Sequence, residues 1–295
     1  MVGALVPSVR TRAIALLWAC QGILALVAAW PAATMVRAAF GGDPDGEAIL
    51  FRPGGHALLM FLAREADGVQ GALAGATVVL VVGAAASILP TGMLLFSLEG
   101  SLNARTPSSL KATVAPAVRS FTALAVLFVG FGLAQALVLG VGAFVAPVVA
   151  NLTERGAGEA RSQEIAAVAV AVLALGAGYL AILHDVACAA LARRHRTALA
   201  ALAASLATFQ AHPFLLAWAW AWRGALSWGP LVAITFAPRL GERRGAIAFV
   251  LLVFLHQAAV LVRIALRASW LTVAIRTVGA TVRAVHDEPL ARAPL

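Results

Sequence analysis

Charge is what this chain has least of. Only 12% of its 295 residues are Asp, Glu, Lys or Arg, while 62% are hydrophobic. A soluble domain carries roughly 25% charged and about 45–50% apolar residues, so a water-exposed globule of this size is excluded. A disordered chain is excluded too, because it needs low hydrophobicity. Lysine is almost missing: Lys111 is the only one among 22 basic residues. It falls in a loop, which argues against a Ser–Lys hydrolase. Cysteine is limited to Cys20 and Cys188, far apart in apolar runs. They make no disulfide framework and no CxxC motif, and read as buried structural thiols. No HExxH, GxSxG, Walker A or dinucleotide fingerprint occurs. We therefore expect no enzyme activity, no metal and no cofactor.

What remains is apolar, in runs long enough to span a bilayer. A spanning helix needs about 20 apolar residues. The sequence predicts an all-α polytopic bundle of six spans, in one integral membrane domain over 1–295. The spans fall at about 13–36, 70–98, 120–150, 165–184, 213–237 and 246–275. Arg10 and Arg12 precede the first run as in a signal peptide, but its length predicts a retained span. The fifth span has two placements. In one it runs from Pro213 to Ala237, since proline suits a first helical turn. In the other it covers about Ala198–Trp222, and the Gly224–Pro238 stretch dips back as a broken hairpin. Amphipathic linking helices are expected on the inner side, before Arg119 and over the Ala-rich stretch 197–211. A short outer helix is expected over 55–66.

The net charge is +9. In a soluble protein it would raise nucleic acid as a partner. Here it reads as topology, because bases collect in cytoplasmic loops, and no nucleic acid is expected. The loops holding Arg105, Lys111, Arg193, Arg194 and Arg196 are richer in bases than those on the other side. That predicts both termini in the cytoplasm. The two inner connectors also echo each other: an acid at a span end, Glu99 or Asp185, then bases, then a linking helix. A diverged repeat and convergent loop chemistry both explain this.

An ionisable group inside a bilayer is costly and marks a candidate site. Glu99 and Asp185 lie at the inner ends of two predicted spans, at the depth of Arg263 and Arg267. The last two are one turn apart on one helical face. These four form a candidate inner cluster, either paired or with the arginines snorkelling to headgroups. Arg223 lies near the middle of the predicted fifth span, where the sequence puts no acid. Carbonyls freed near Gly229-Pro230, Gln257, Gln135, Ser227 or an anionic lipid are its candidate acceptors. The alternative places Arg223 at an interface among Trp218, Trp220, Trp222 and Trp228. His184 and Cys188 stand at ligand-like i, i+4 spacing, and His256 is mid-span, but no matched second pair supports a metal. Gly71 and Gly75 form a GxxxG, a helix-contact signal that is weak in so Ala-rich a chain.

His184-Asp185 through Arg193-Arg194, the Ala-rich linker and His212-Pro213 resemble one group of six-helix bacterial integral membrane proteins. So do Gln257, Arg263, Arg267 and Trp270 on the last span. The group includes the membrane domain attached to some glycerophosphodiester phosphodiesterases. The soluble catalytic domain has no counterpart in these 295 residues, so the resemblance implies a membrane fold without that activity. The expected function is a non-enzymatic scaffold or an accessory component of an envelope or transport system. Membrane lipids, and other membrane proteins, are its expected partners. The alternative is a transporter or lipid-handling protein with an anion or lipid site near Arg223 and Gln257.

Overall fold

A computed structural model describes residues 11–40, 56–102, 111–193, 197–236 and 246–291. Among them the chain is helical, with no strands. The helices are α1 (Thr11–Phe40), α2 (His56–Arg64), α3 (Ala66–Leu102), α4 (Lys111–Arg119) and α5 (Phe121–Ala157), followed by α6 (Glu159–Arg193), α7 (Ala198–Ala211), α8 (Pro213–Phe236) and α9 (Ala246–Ala291). Helix is the form that satisfies every backbone N–H and C=O within one segment, as hydrocarbon requires. Side-chain hydroxyls follow the same economy. Ser205, Thr208, Thr272 and Thr277 each return a hydrogen bond to a carbonyl of their own helix, which removes an exposed donor.

Five stretches are long and apolar enough to cross a membrane: Ala13–Phe40, Ala66–Leu102, Phe121–Val149, Glu164–Arg193 and Val253–Val282. A sixth exists if the bent pair Ala198–Ala211 and Pro213–Val232 counts as one span. Their outer faces keep large apolar side chains in the open. Val168, Val172 and Leu175 on α6 recur at helical spacing, and Leu175 is 75% exposed. Such a face is stable only against lipid or another apolar surface.

The chain divides into two compact units. The first takes in Gly92–Leu226 and the part of α9 from Leu266 onward. Its backbone is the α5–α6 hairpin. Gly158 makes the turn at φ 81°, a conformation that glycine adopts without steric cost. Cβ atoms at Gly142 and Gly176 would meet Leu173 and Val138. Residue numbers rise on one helix as they fall on the other, so α5 and α6 are antiparallel. α7 packs on α6 through small side chains, with Ala201, Ser205 and Thr208 buried. Thr197 caps its start by accepting from Ala200 N at 3.2 Å. The core gathers at the C-terminal halves of α3 and α6, around Leu94, Leu95, Leu98, Val186, Leu271, Ile275 and Val278.

The second unit takes in Thr11–Thr91 and Ser227–Ala265. In it α1 and α3 lie antiparallel. A Cβ at Gly83 would stand 2.9 Å from Leu24 Cδ1, and one at Gly68 would stand 3.1 Å from Met35 Sδ. Phe61 of α2 meets Phe40 at the end of α1, ring centroids 5.3 Å apart.

Several boundaries differ from expectation. α6 runs on to Arg193 and α3 to Leu102, so Asp185 and Glu99 lie inside helices, not at their ends. Asp185 stands about 12 Å before the end of α6 at 1.5 Å per residue. α9 continues past Ile275 to Ala291. Asp185 interrupts the hydropathy, but the apolar residues 186–192, buried as far as Leu191, carry the helix on to Arg193. α8 begins at Pro213 as expected, but no continuous helix covers 198–222, because the pair bends by 98° there. The expected end at Ala237 lies outside the described residues. The linking helix α7 is not amphipathic: its open side carries Leu199 and Leu206. The GxxxG of Gly71 and Gly75 meets nothing within 4 Å.

Close approach is instead made at Gly92. A Cβ there would stand 2.9 Å from Leu124 Cδ1 and 3.4 Å from Ala117 Cβ, and both partners are buried. Gly92→Val should therefore lower the detergent melting temperature, at a cost of about 1–3 kcal/mol for overpacking. Gly22→Val, which enters open space, should not. Equal melting of the two variants would refute a tight α3–α5 contact.

Candidate functional site

The polar groups of the first unit collect around one carboxylate. Asp185, 8% exposed, accepts a hydrogen bond from Trp270 Nε1 at 2.9 Å. Its other oxygen lies 3.6 Å from Arg267 Nη2. Arg267 and Trp270 are three apart on α9 and so share a face. α9 thus presents a cation and a neutral donor together to the acid of α6. Directly before Asp185 on α6, His184 lies between aromatic rings of α5. Phe128 meets it edge-on at 4.6 Å and Phe131 lies at 5.4 Å, centroid to centroid. His184 Nε2 is 3.5 Å from Cys188 Sγ, and Nδ1 is 3.7 Å from Asp185 Oδ1. Among the described residues no group of three His, Cys, Asp or Glu is placed to hold a metal ion.

A second contact reaches α9 from α8. Arg223 Nε donates to Ser269 Oγ at 3.2 Å, and Nη1 donates to the Ala219 carbonyl at 2.9 Å. Its guanidinium carbon lies 4.2 Å from the centre of the Trp222 ring. Ser269 adjoins Trp270, so both contacts fall on the same turn of α9.

Of the expected inner cluster, the structure brings Asp185 and Arg267 together. Glu99 is partly buried near the end of α3 and is engaged in a contact of its own. Arg263, described with the second unit, stacks over Trp228 at 4.2 Å. The expected acceptors of Arg223 need correction. They are a serine on α9 and a carbonyl of its own helix, not carbonyls near Gly229-Pro230. α8 stays helical through both residues, and the interruption lies at His212. Gln257 belongs to the second unit, where its Oε1 accepts from Trp18 Nε1 at 3.0 Å. His256 is exposed on α9.

The sequence reading missed Trp270 as a partner of Asp185. The i, i+3 spacing from Arg267 was the available signal. It also missed Ser269, Phe128 and Phe131, for which no local pattern exists. Comparison with protein-family models, curated proteins and solved structures finds no match. The resemblance noted above rests on its own residues.

Chemically, the centre is a fastening. Asp185→Ala would orphan the Trp270 N–H and leave Arg267 without its carboxylate. Groups stranded this way cost about 2–4 kcal/mol. The variant should melt well below the parent in detergent, whereas Arg223→Leu, which removes a charge met by neutral groups, should hold or gain stability. The reverse order would show that Arg223, and not Asp185, ties α9 to its neighbours.

Proposed function

We propose that this protein is a six-span integral membrane scaffold or accessory component of an envelope or transport system. In this reading it does no chemistry of its own. The observation that carries the proposal is how the polar groups within the helices are used. Asp185 is taken by Trp270 and Arg267, Arg223 by Ser269 and the Ala219 carbonyl, and Gln257 by Trp18. A transporter or intramembrane enzyme keeps such groups for substrate; here they join helices.

The helix directions support six crossings. α6 meets α9 at Asp185–Trp270 and, eight residues on, at Arg193–Gly279. Partners advance together, so the two helices run parallel. Two parallel spans require the chain between them to recross the membrane. The bent pair α7–α8 is the segment available for that return. With the excess of bases on the loops after α3 and α6, the positive-inside rule places both termini in the cytoplasm.

Labelling tests this. Asp45→Cys and Leu290→Cys are introduced singly into a chain whose Cys20 and Cys188 are replaced by alanine. In intact cells an impermeant thiol reagent should modify position 45 only, and position 290 should react after the membrane is opened. Equal reaction at both in intact cells would overturn the topology. The transport or lipid-handling alternative makes its own claim: Arg223→Leu should strip co-purified phospholipid while the fold survives. Unchanged lipid content favours the scaffold.

A further inference from the structure

Arg193 closes α6 and lays its guanidinium against α9 at Gly279. A Cβ at that glycine would stand 2.6 Å from Cζ and from Nη2 and 3.0 Å from Nη1. Only a residue without a side chain lets the planar group lie so near the backbone. The Nε of Arg193 is buried and has no hydrogen-bond partner. A buried donor without an acceptor is costly, and in native proteins it commonly marks a missing water or ion. Arg276 is exposed on α9 one turn before Gly279, and residues three apart on a helix are surface neighbours. Arg276 is thus a second base one turn from the point where the Arg193 guanidinium meets α9.

The acid of α6 that faces α9, Asp185, is two turns deeper and already holds Trp270 and Arg267. The level matters as well. The apolar stretch of α6 ends at Arg193, and that of α9 ends at Val282. Hydrocarbon gives way to headgroups there.

We propose that Arg193 and Arg276, near Gly279, seat the phosphate of an anionic phospholipid headgroup between α6 and α9. Guanidinium forks match phosphate oxygens in geometry and stay charged at the membrane surface. Basic crevices between spanning helices favour anionic over zwitterionic headgroups. The acyl chains would lie along the apolar outer faces of the same helices. The inference rests on α6 and α9 being spanning helices, and it is independent of which side of the membrane the site faces.

The test uses the full chain in nanodiscs of phosphatidylglycerol or phosphatidylcholine, with retained lipid counted by native mass spectrometry. The parent should retain phosphatidylglycerol in preference. Arg193→Gln with Arg276→Gln should reduce that preference about tenfold or more, since a lost charged hydrogen bond is worth about that factor. Gly279→Leu keeps every charge and displaces the guanidinium, so it should act in the same direction. Arg193→Lys, which leaves the packing free to relax, guards against misfolding of the leucine variant and should lose part of the preference. Arg37→Gln, at the end of α1, should change nothing. Unaltered preference in the double variant, or a loss in Arg37→Gln as large as in it, would overturn the site. So would inorganic phosphate that displaces the lipid while raising the melting temperature as much as the lipid does, because the seat would then serve the free anion. Failure of the spanning reading is separable: the protein would then leave the membrane fraction on carbonate extraction, whatever lipid it retained.

Discussion

A carboxylate carried inside an apolar helix must be answered by neighbouring helices, and the first unit is arranged around that requirement. Asp185 has two oxygens, and α9 answers each differently: Trp270 with a neutral N–H at 2.9 Å, Arg267 with a cation at 3.6 Å. The tryptophan contact is the shorter and is fully buried, while 39% of the Arg267 side chain remains open. The neutral donor therefore fixes the geometry, and the cation sets the charge balance. Hydrogen bonds in a medium that offers no water are expensive to leave unmade, so this pairing selects one register of α6 against α9. One turn along, Val186, Ala189 and Ala190 are wholly or almost wholly buried beside it. Small side chains there let the helices approach closely enough for the polar contact to form.

Fixing that register has a consequence for the chain between the two helices. α6 and α9 point the same way, so the segment from Arg194 to Gly245 has to return. α7 starts the return packed on α6 through Ala201, Ser205 and Thr208. It then stops at His212, whose backbone N–H goes back to Thr208 and Phe209. Pro213 has no N–H to offer to a continuing helix and starts α8 instead, at a bend of 98°. Tyr179 packs edge-on against Phe209 at 5.0 Å, just before the break. Ring packing on one side and the proline on the other hold the bend in place.

Much of the fold was legible because its cause is local. Apolar runs, Pro213 at a helix start and the Ala-rich helix after Thr197 each follow from residues adjacent in sequence. Helix ends were less legible: Asp185 and Glu99 looked like termini because charge interrupts hydropathy, yet a charge whose partner lies on another helix need not end its own. A pairing of Asp185 or Glu99 with Arg263 or Arg267 was readable from shared depth and the cost of a lone charge, but not which acid meets which base. Trp270, Phe128 and Phe131 were not readable, because side-chain direction across two helices depends on rotation about each axis, which no single segment encodes. The acceptors of Arg223 were sought where proline frees a carbonyl. They lie one turn back on its own helix, at Ala219, and on α9, at Ser269.

The composition explains why aromatic residues recur at these places. Few of the 13 acids lie within the candidate spans, so aromatic rings are available to arginines there as well as carboxylates. Arg267 takes Asp185. Arg223 and Arg263 lie over Trp222 and Trp228, each at 4.2 Å from the ring centre. A cation over an indole face gains about 0.5–2 kcal/mol, more where water is excluded, and the ring brings no second charge to desolvate. Tryptophan answers the guanidinium while remaining compatible with lipid on its other face. A chain short of acid and rich in arginine can thus keep cations within its spans, and the acid it places at Asp185 is free to do what an aromatic ring does not: accept a directed hydrogen bond and fix a helix register.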